Sequence, residues 1–119
     1  MNRNHRRGDV YYADLGEGVG SEQFGTRPIV IIQNDVGNRY SPTVIVAAVS
    51  TQIETKAQLP THHVIAEGCL KQPSVILLEQ LRTIDKQRIG RFIGSLSPQD
   101  IAAMDRALRI SIGLNNTKE

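Results

Sequence analysis

The sequence predicts a mainly β domain that ends in one α-helix, and three observations support this fold class. Short runs rich in β-branched residues recur through most of the chain, Gly and Pro punctuate them, and the apolar spacing becomes helical only after Ser97. Short strands between turn residues are typical of a small barrel or sandwich. With 119 residues the chain has room for one such domain, and we expect residues 1–119 to form it.

Six segments are predicted to be strands, because each is rich in β-branched or aromatic residues and is bounded by turn formers. In chain order they are DVYYAD (9–14), RPIVIIQND (27–35), TVIVAAVS (43–50), THHVI (61–65), SVILLEQ (74–80) and RFIGS (91–95). The sequence LRTID at 81–85 allows the fifth strand to continue. By contrast, VGNRYSP at 36–42 is full of turn-forming residues and is predicted to be a loop.

One amphipathic helix is predicted to close the chain. Ser97 is a favourable N-cap, Pro98 suits the first helical position, and Gly113 is a stop signal. The apolar residues on one face of this helix, which are expected to pack on the sheet, are Ile101, Met104, Leu108 and Ile112. We expect residues 1–6 and 115–119 to be mobile ends.

Composition and charge exclude several classes of protein. Fourteen Lys and Arg against twelve Asp and Glu leave a net charge of +2, too little for a protein that binds nucleic acid by bulk charge. No apolar run approaches the roughly 18 residues of a membrane span, and the start MNRNHRRGD lacks the apolar core of a signal peptide. The single cysteine, Cys69, suits a reducing compartment. We therefore expect a cytoplasmic protein without a membrane partner.

The usual cofactor and metal motifs are missing from the sequence. It contains no phosphate-binding Gly-x-x-x-x-Gly-Lys, no dinucleotide-binding Gly-x-Gly-x-x-Gly and no His-Glu-x-x-His of zinc proteases. Besides His5, the histidines are the adjacent His62 and His63, which on a strand point to opposite faces, so one is expected to be buried and one exposed. We expect neither a metal nor a cofactor, and we interpret Cys69 as a small buried hydrophobe.

The candidate functional segment is the loop GSEQFGTRP at 20–28, which leads directly into an apolar strand. Polar residues held between rigid elements in this way are often binding or catalytic groups. Arg27 stands at the junction of loop and strand, where a guanidinium can donate several hydrogen bonds to a phosphate. Two alternatives remain open, namely a polar hairpin loop without a function and a structural ion pair between Arg27 and Glu22.

Matching stretches run from about Arg6 to Leu114 in the order RRGDVYYADL, GSEQFGTRPIVIIQND, GNRYSPTVIVAAVSTQ, LPTH, SVILLEQLRTIDK and a final helix that ends in ISIGL. In these stretches the chain resembles the MazF/PemK family of toxin endoribonucleases, especially the chromosomal toxins of Gram-positive bacteria. The resemblance implies an SH3-like barrel with a C-terminal helix, the fold of CcdB/PemK-type toxins. It also implies a two-fold symmetric homodimer.

The resemblance further implies an activity. The family cuts single-stranded RNA without metal, by attack of a 2′-hydroxyl on the adjacent phosphorus, leaving 2′,3′-cyclic phosphate and 5′-hydroxyl ends. The family's catalytic arginine matches Arg27, and its catalytic threonine matches Ser50, which keeps the hydroxyl but lacks the methyl group. Because arginine stays protonated, the predicted role of Arg27 is to stabilise the charged phosphorane. Close relatives cut at short sites that contain ACA, often UACAU.

Further residues at the matching strand ends and loops are predicted to bind the substrate. They are Ser21, Glu22, Gln23, Phe24, Asn34, Thr51, Gln52, Leu59, Glu79 and Gln80. Phe24 departs from the family, whose members usually carry a small residue at this position. Its ring can stack on an unpaired base or pack down as a lid. The polar residues suit the edges of splayed bases, with bonds to local backbone groups as the alternative.

The resemblance also implies a protein partner, a MazE-like antitoxin whose acidic, disordered C-terminal segment blocks the RNA groove. The basic run from Arg82 to Arg91 and the loop at 20–27 are candidate contacts. Two alternative functions remain. A CcdB-like toxin binds gyrase through a C-terminus that carries tryptophan, whereas this chain contains no Trp. A degenerate barrel would bind RNA without cutting it.

Overall fold

The structure is a computed structural model that describes residues 4–53 and 59–114. Its strands are β1 (Asp9–Asp14), β2 (Thr26–Ile31), β3 (Thr43–Ser50), β4 (His62–Ile65), β5 (Ser74–Asp85) and β6 (Ile89–Ser95). Helix α1 (Asp35–Tyr40) follows β2, a 3-10 turn (Lys86–Arg88) joins β5 to β6, and helix α2 (Pro98–Ser111) follows β6. The strands form one antiparallel sheet in the order β4–β5–β3–β2–β1–β6.

The sheet is apolar on both faces, as successive residues of β2 show. Val30 packs in a cluster with Met104 and Ala107 of α2, whereas Ile29 and Ile31 pack in a second cluster on the other face. All of these side chains are buried. A strand whose two faces are both buried reads as a continuous apolar run, which explains the dense β-branched sequence of β2.

The second cluster shows that the sheet curves on itself. Its members include Ile84 from β5, and Ile89 and Phe92 from β6 pack against it. Three strands lie between β5 and β6 in the sheet. Side chains of β5 and β6 can pack in the same cluster only because the sheet curves toward a barrel. The predicted mainly β fold with a C-terminal helix is therefore confirmed.

Helix α2 follows the prediction at its start. The Ser97 side chain caps the first turn, and Pro98 is the first helical residue. Gly113 adopts a positive φ of 78° just after the last turn, a conformation that favours glycine. Ile112 differs from the prediction: the helix ends at Ser111, so Ile112 is the C-cap and is 51% exposed instead of packing on the sheet.

The segment after β2 differs from the prediction in two ways. The strand ends at Ile31 rather than at Asp35, and the predicted loop contains α1. Asn34 Oδ1 accepts a hydrogen bond from Gly37 N at 2.8 Å and so caps this helix. The Arg7 amide donates to Asp35 Oδ1 at 2.7 Å. This hydrogen bond is the main reason that the pKa of the Asp35 carboxyl is lowered. The Asn34 cap and the bond from Arg7 to Asp35 both stabilise a helix here, although the turn-forming residues had predicted a loop.

Strand β5 is long and irregular. It includes the predicted strand and its extension, so the continuation is confirmed. Ala47 of β3 pairs with Leu81 of β5, but the next residue, Ala48, pairs with Leu77. One step along β3 therefore corresponds to four steps along β5, and residues 78–80 have no partner on β3. We call these three residues the β5 bulge. Bulges bend a strand and change where its side chains point.

The expected mobility of the chain ends concerns residues 1–6 and 115–119. Of these, residues 1–3 and 115–119 lie outside the described residues. The His5 ring packs edge-on against Tyr11, with centroids 4.9 Å apart, so residues next to the start contact the domain. None of the described helices is long and apolar enough to cross a membrane.

Candidate active site

The two residues predicted to be catalytic lie where β2 begins and β3 ends. Ile29 pairs with Ala48 in the antiparallel ladder, and the same register continued by two residues places Arg27 opposite Ser50. Directly opposed residues of neighbouring strands have side chains on the same face of a sheet, a few ångströms apart. The fold thus brings these two residues together from positions 23 residues apart in the sequence.

The loop between β1 and β2 is closed by its own backbone. Leu15 N donates to Gly25 O at 2.9 Å, and Gly25 N donates to Gly16 O at 2.8 Å. Nearer its tip, Glu22 Oε1 accepts from Val19 N at 2.8 Å. The Glu22 carboxylate is therefore used within the loop, which is one of the local roles that the sequence left open.

Arg27 is oriented by this loop. Its Nε donates to the Phe24 carbonyl at 2.9 Å, and its Cζ lies 5.5 Å from the centroid of the Phe24 ring. The alternative of an ion pair with Glu22 is wrong, because Arg27 forms no ion pair within residues 4–53 and 59–114. In the same residues its terminal nitrogens meet no hydrogen-bond acceptor. The guanidinium therefore retains donors for an anion.

Ser50 is the more enclosed of the two residues, with 2% of its surface exposed. Its Oγ accepts a hydrogen bond from Gln52 N at 3.1 Å, which holds the end of β3 in a tight turn. Thr51 and Gln52 are exposed just beyond it. The hydroxyl proton of Ser50 meets no acceptor in the described part of the chain.

The β5 bulge contributes Glu79, whose carboxylate is held on both oxygens. Thr61 Oγ1 donates to Oε1 at 2.9 Å, and His62 Nε2 donates to Oε2 at 2.8 Å. Burial raises the pKa of Glu79, but these hydrogen bonds outweigh it, so the pKa lies below its usual value. Glu79 thus stays ionised and fixed to β4, and Thr61 and His62 are site residues that the sequence analysis missed.

Gln80, also in the bulge, contacts the β1–β2 loop with both ends of its amide. Oε1 accepts from Gln23 N at 3.2 Å, and Nε2 donates to Ser21 O at 3.0 Å. Gln23 itself is 8% exposed, whereas Phe24 beside it is 54% exposed. The predicted loop residues therefore divide into an anchored part and a projecting aromatic ring.

An open groove of about 460 Å³ runs between this loop and the bulge. Its lining includes Ser21 and Glu22 on one side and Glu79, Gln80 and Arg82 on the other. We call it the loop groove. It joins residues of the β1–β2 loop to residues in the interior of β5 that no local sequence pattern connects.

Two predicted substrate-binding residues are not part of this cluster. Asn34 caps α1, past the end of β2 that is opposite to Arg27. Leu59 is 52% exposed and directly follows residues 54–58, which lie outside the described residues. A role for either residue in RNA binding stays a prediction.

The basic run from Arg82 to Arg91, which begins in β5 and ends in β6, mostly contacts the domain itself. Arg82 Nη1 donates to Leu15 O at 2.9 Å, and Arg88 Nη1 donates to Asp14 O at 3.2 Å, so both brace the start of the β1–β2 loop. Arg91 lies over the Tyr12 ring, with Cζ 5.0 Å from its centroid. Of this run, Arg82 reaches the loop groove.

The histidine pair and the cysteine match their predicted structural roles in part. The adjacent histidines bond in different directions, His62 to Glu79 on β5 and His63 to Asp100 on α2. The side chain of His62 is 4% exposed and that of His63 is 19% exposed, so the expected pair of one buried and one exposed histidine is not found. Burial raises the pKa of the Cys69 thiol, which disfavours the nucleophilic thiolate. Among the residues described, no group of three or more His, Cys, Asp or Glu is placed to hold a metal ion.

Comparison with known proteins identifies the family. The family model for PemK-like, MazF-like toxins of type II toxin–antitoxin systems matches residues 6–112. The chain belongs to this family. A MazF-family relative, the endoribonuclease MazF of Staphylococcus epidermidis, is 57% identical over 113 residues, which cover 93% of this chain and 93% of the relative.

Solved structures of MazF toxins share the fold. A mycobacterial endoribonuclease in complex with its cognate antitoxin superposes with a TM-score of 0.79 at 24% identity, covering 94% of this chain and 98% of that one. The Mycobacterium tuberculosis toxin MazF-mt6 superposes with a TM-score of 0.75 at 26% identity, covering 90% and 98%. The predicted CcdB/PemK-type fold is therefore confirmed, and it extends across nearly the whole described chain.

Proposed function

We propose that the chain is the toxin of a type II toxin–antitoxin pair and that it cuts single-stranded RNA without a metal ion. The place of Arg27 opposite Ser50 carries the proposal, since the continued register sets a permanent cation and a hydroxyl at the same end of neighbouring strands. The 57% identity to an endoribonuclease MazF supports the activity. No cofactor enters the proposed reaction.

In the reaction a 2′-hydroxyl attacks the adjacent phosphorus and the bond from phosphorus to the 5′-oxygen of the next nucleotide breaks. The 2′-hydroxyl gives up its proton and the leaving 5′-oxygen takes one up, so the step forms a cyclic phosphate and a 5′-hydroxyl. Charge builds up on the phosphorane oxygens, and donors fixed in advance stabilise it more than water does. The terminal nitrogens of Arg27 are such donors, since Nε is already held by the Phe24 carbonyl and the guanidinium need not reorganise. Ser50 adds a hydroxyl donor from the neighbouring strand.

The substrate is a strand with unpaired bases, cut at a short site that contains ACA, with UACAU as the candidate. Phe24 projects from the loop and offers a ring on which one base stacks. The ionised Glu79 and the exposed Thr51 and Gln52 are suited to base edges, because carboxylates and amides accept from or donate to exocyclic groups. The loop groove, which Glu79 lines, gives the strand a path between the β1–β2 loop and the β5 bulge.

The proposed partners are a second copy of the chain, in a two-fold homodimer, and a MazE-like antitoxin. An acidic antitoxin segment would offer carboxylates to the terminal nitrogens of Arg27, which meet no acceptor in the described residues. By occupying Arg27 it would exclude RNA, and its removal would restore cutting. Two copies of the groove would double the surface over which a short RNA site is recognised.

Product chemistry tests the proposal. The purified, antitoxin-free protein is incubated with one long single-stranded RNA in EDTA, cut sites are mapped by primer extension, and the fragment ends are identified. We expect cuts at ACA-containing sites with 2′,3′-cyclic phosphate and 5′-hydroxyl ends. Binding without any cut would indicate a degenerate barrel. Capture of gyrase with the RNA left intact would indicate a CcdB-like toxin, and a requirement for added metal would contradict the mechanism.

A further inference from the structure

The amide of Gln80 has a defined set of partners that the sequence did not predict. If Gln80 read a base edge, it would present its carbonyl and its NH2 group together to that base. Instead, both groups are bonded to the loop backbone, at Gln23 N and at Ser21 O. To bind a base in that way, Gln80 would have to release the loop at two points.

The contacts of Gln80 continue along the backbone to Arg27. The Gln23 amide that Gln80 holds lies one residue before Phe24, and the Phe24 carbonyl accepts from Arg27 Nε. The Gln23 amide and the Phe24 carbonyl lie in peptide units joined through the Cα atoms of residues 23 and 24, so fixing the first limits the backbone rotations that set the direction of the second. A side chain of the β5 bulge is thereby linked to the guanidinium through two residues of backbone.

The backbone bonds at Gly25 close the base of the loop, and the segment that Gln80 holds lies between two glycines. Gly20 and Gly25 flank the segment that Gln80 holds, both have positive φ, and no described atom lies within 4 Å of where their Cβ atoms would be. A second side chain from β5, Arg82, donates to Leu15 O at the base of the loop. Strand β5 therefore holds the loop at its base and near its tip.

We propose that Gln80 is a positioning residue for RNA cleavage: it holds the loop backbone at residues 21–23 and, through the Phe24 carbonyl, orients the Arg27 guanidinium. The proposal rests on the proposed function, because it assigns Gln80 to the charge-stabilising role of Arg27 rather than to base recognition. It predicts that Gln80 governs turnover and leaves the choice of cut site unchanged.

The first test compares Gln80→Met with Gln87→Met, the same change at an exposed glutamine of the 3-10 turn whose side chain makes no described hydrogen bond. We expect Gln80→Met to lower kcat on the order of 10-fold, with KM and the mapped cut site unchanged, since small misplacements of a catalytic group reduce rates steeply. Gln80→Glu keeps the acceptor for the Gln23 amide but not the donor to Ser21, so its kcat should fall between those of Gln80→Met and the unaltered chain. Gln87→Met should cut normally.

A double-mutant cycle separates positioning from direct contact. Lysine at position 27 keeps the cation but has no Nε–H to donate to the Phe24 carbonyl, so Gln80→Met should change kcat less than about twofold in an Arg27→Lys background. The same 10-fold loss in both backgrounds, or a changed base preference, would overturn the proposal and show that Gln80 contacts RNA.

Hydrogen exchange provides a readout that needs no RNA. The Gln23 amide should exchange faster in Gln80→Met than in the unaltered chain or in Gln87→Met, because its acceptor is gone. Unchanged exchange would show that Gln80 does not hold the loop. If the unaltered chain fails to cut RNA, the proposed function fails, whereas the exchange result still decides whether the Gln80 contact exists.

Discussion

The Phe24 carbonyl and ring both face Arg27, one accepting from its Nε at 2.9 Å and the other lying 5.5 Å from its Cζ. One residue thus orients the proposed catalytic cation and also presents the most exposed aromatic surface of the loop. The carbonyl is backbone and survives any substitution, whereas the ring does not. The two contributions are therefore separable by mutation.

Replacement of the ring alone should weaken substrate binding. We expect Phe24→Gly and Phe24→Leu to raise KM for a short single-stranded RNA by about 5- to 150-fold, the equivalent of roughly 1–3 kcal/mol for one stacked base. The melting temperature should change little in Phe24→Leu, because the side chain is 54% exposed. An unchanged KM in both variants would show that the ring does not contact RNA.

Removal of the guanidinium should abolish turnover without unfolding the domain. Arg27→Ala is expected to lower kcat by at least about 100-fold, since it removes the donors proposed for the phosphorane. Arg109→Ala, at an exposed position of α2, is the matched control and should cut RNA like the unaltered chain. Circular dichroism of both variants checks the fold. Full activity of Arg27→Ala would eliminate the proposed mechanism.

The sheet and its closing helix were predictable because their signals are local. Runs of β-branched residues bounded by turn formers indicate strands, and the Ser97 cap with Pro98 indicates where α2 begins. Helix α1 was missed because part of its support comes from a distant residue, Arg7, whose amide bonds Asp35. Single-sequence patterns carry no information about a contact between residues 28 positions apart.

Some residues of the candidate site could be predicted from the sequence and others could not. Arg27 stands out in the sequence because it lies between a polar loop and an apolar strand, but Ser50 was identified only by resemblance. The roles of Glu79 and Gln80 follow from the β5 bulge, where the pairing register between β3 and β5 shifts. No residue pattern within either strand indicates this shift. Thr61 and His62 become site residues only because β4 pairs with β5 there.

Serine in place of the family's threonine should support catalysis at a reduced rate. Ser50→Ala is expected to lower kcat on the order of 100-fold, because it removes a proposed donor to the phosphate, and to lower stability by about 1 kcal/mol, because the Gln52 amide loses its acceptor. Ser50→Thr should cut at the wild-type rate or a few-fold faster, since its added methyl stiffens the side chain. Wild-type kcat in Ser50→Ala would remove the hydroxyl from the mechanism.

The pair of Arg7 and Asp105 should stabilise the docking of α2. Two guanidinium nitrogens reach the carboxylate, at 2.7 and 3.3 Å, and Nε donates to Ile32 O at 2.8 Å. Because the two side chains are only 27% and 30% exposed, we expect a coupling of about 1 kcal/mol in a double-mutant cycle of Arg7→Met and Asp105→Ala. Arg106→Met, on the exposed face of α2, is the control and should leave unfolding by denaturant nearly unchanged.

Glu79 should make the stability of the domain depend on pH in the acidic range. Its pKa in the folded chain lies below the ordinary value of 4.5, because hydrogen bonds from His62 and Thr61 outweigh the opposing effect of burial. A carboxyl with a depressed pKa stabilises the fold fully above the unfolded value, and this stabilisation is lost as the pH falls through the folded one.

Substitution of Glu79 should remove that dependence. Glu79→Gln is expected to lower the melting temperature at pH 7, with the difference from the unaltered chain shrinking as the pH falls below about 4.5. Glu67→Gln, at an exposed carboxylate, should follow the unaltered chain at every pH. A difference that stays constant between pH 7 and pH 3 would show that the effect of Glu79→Gln does not come from the charge of the carboxylate.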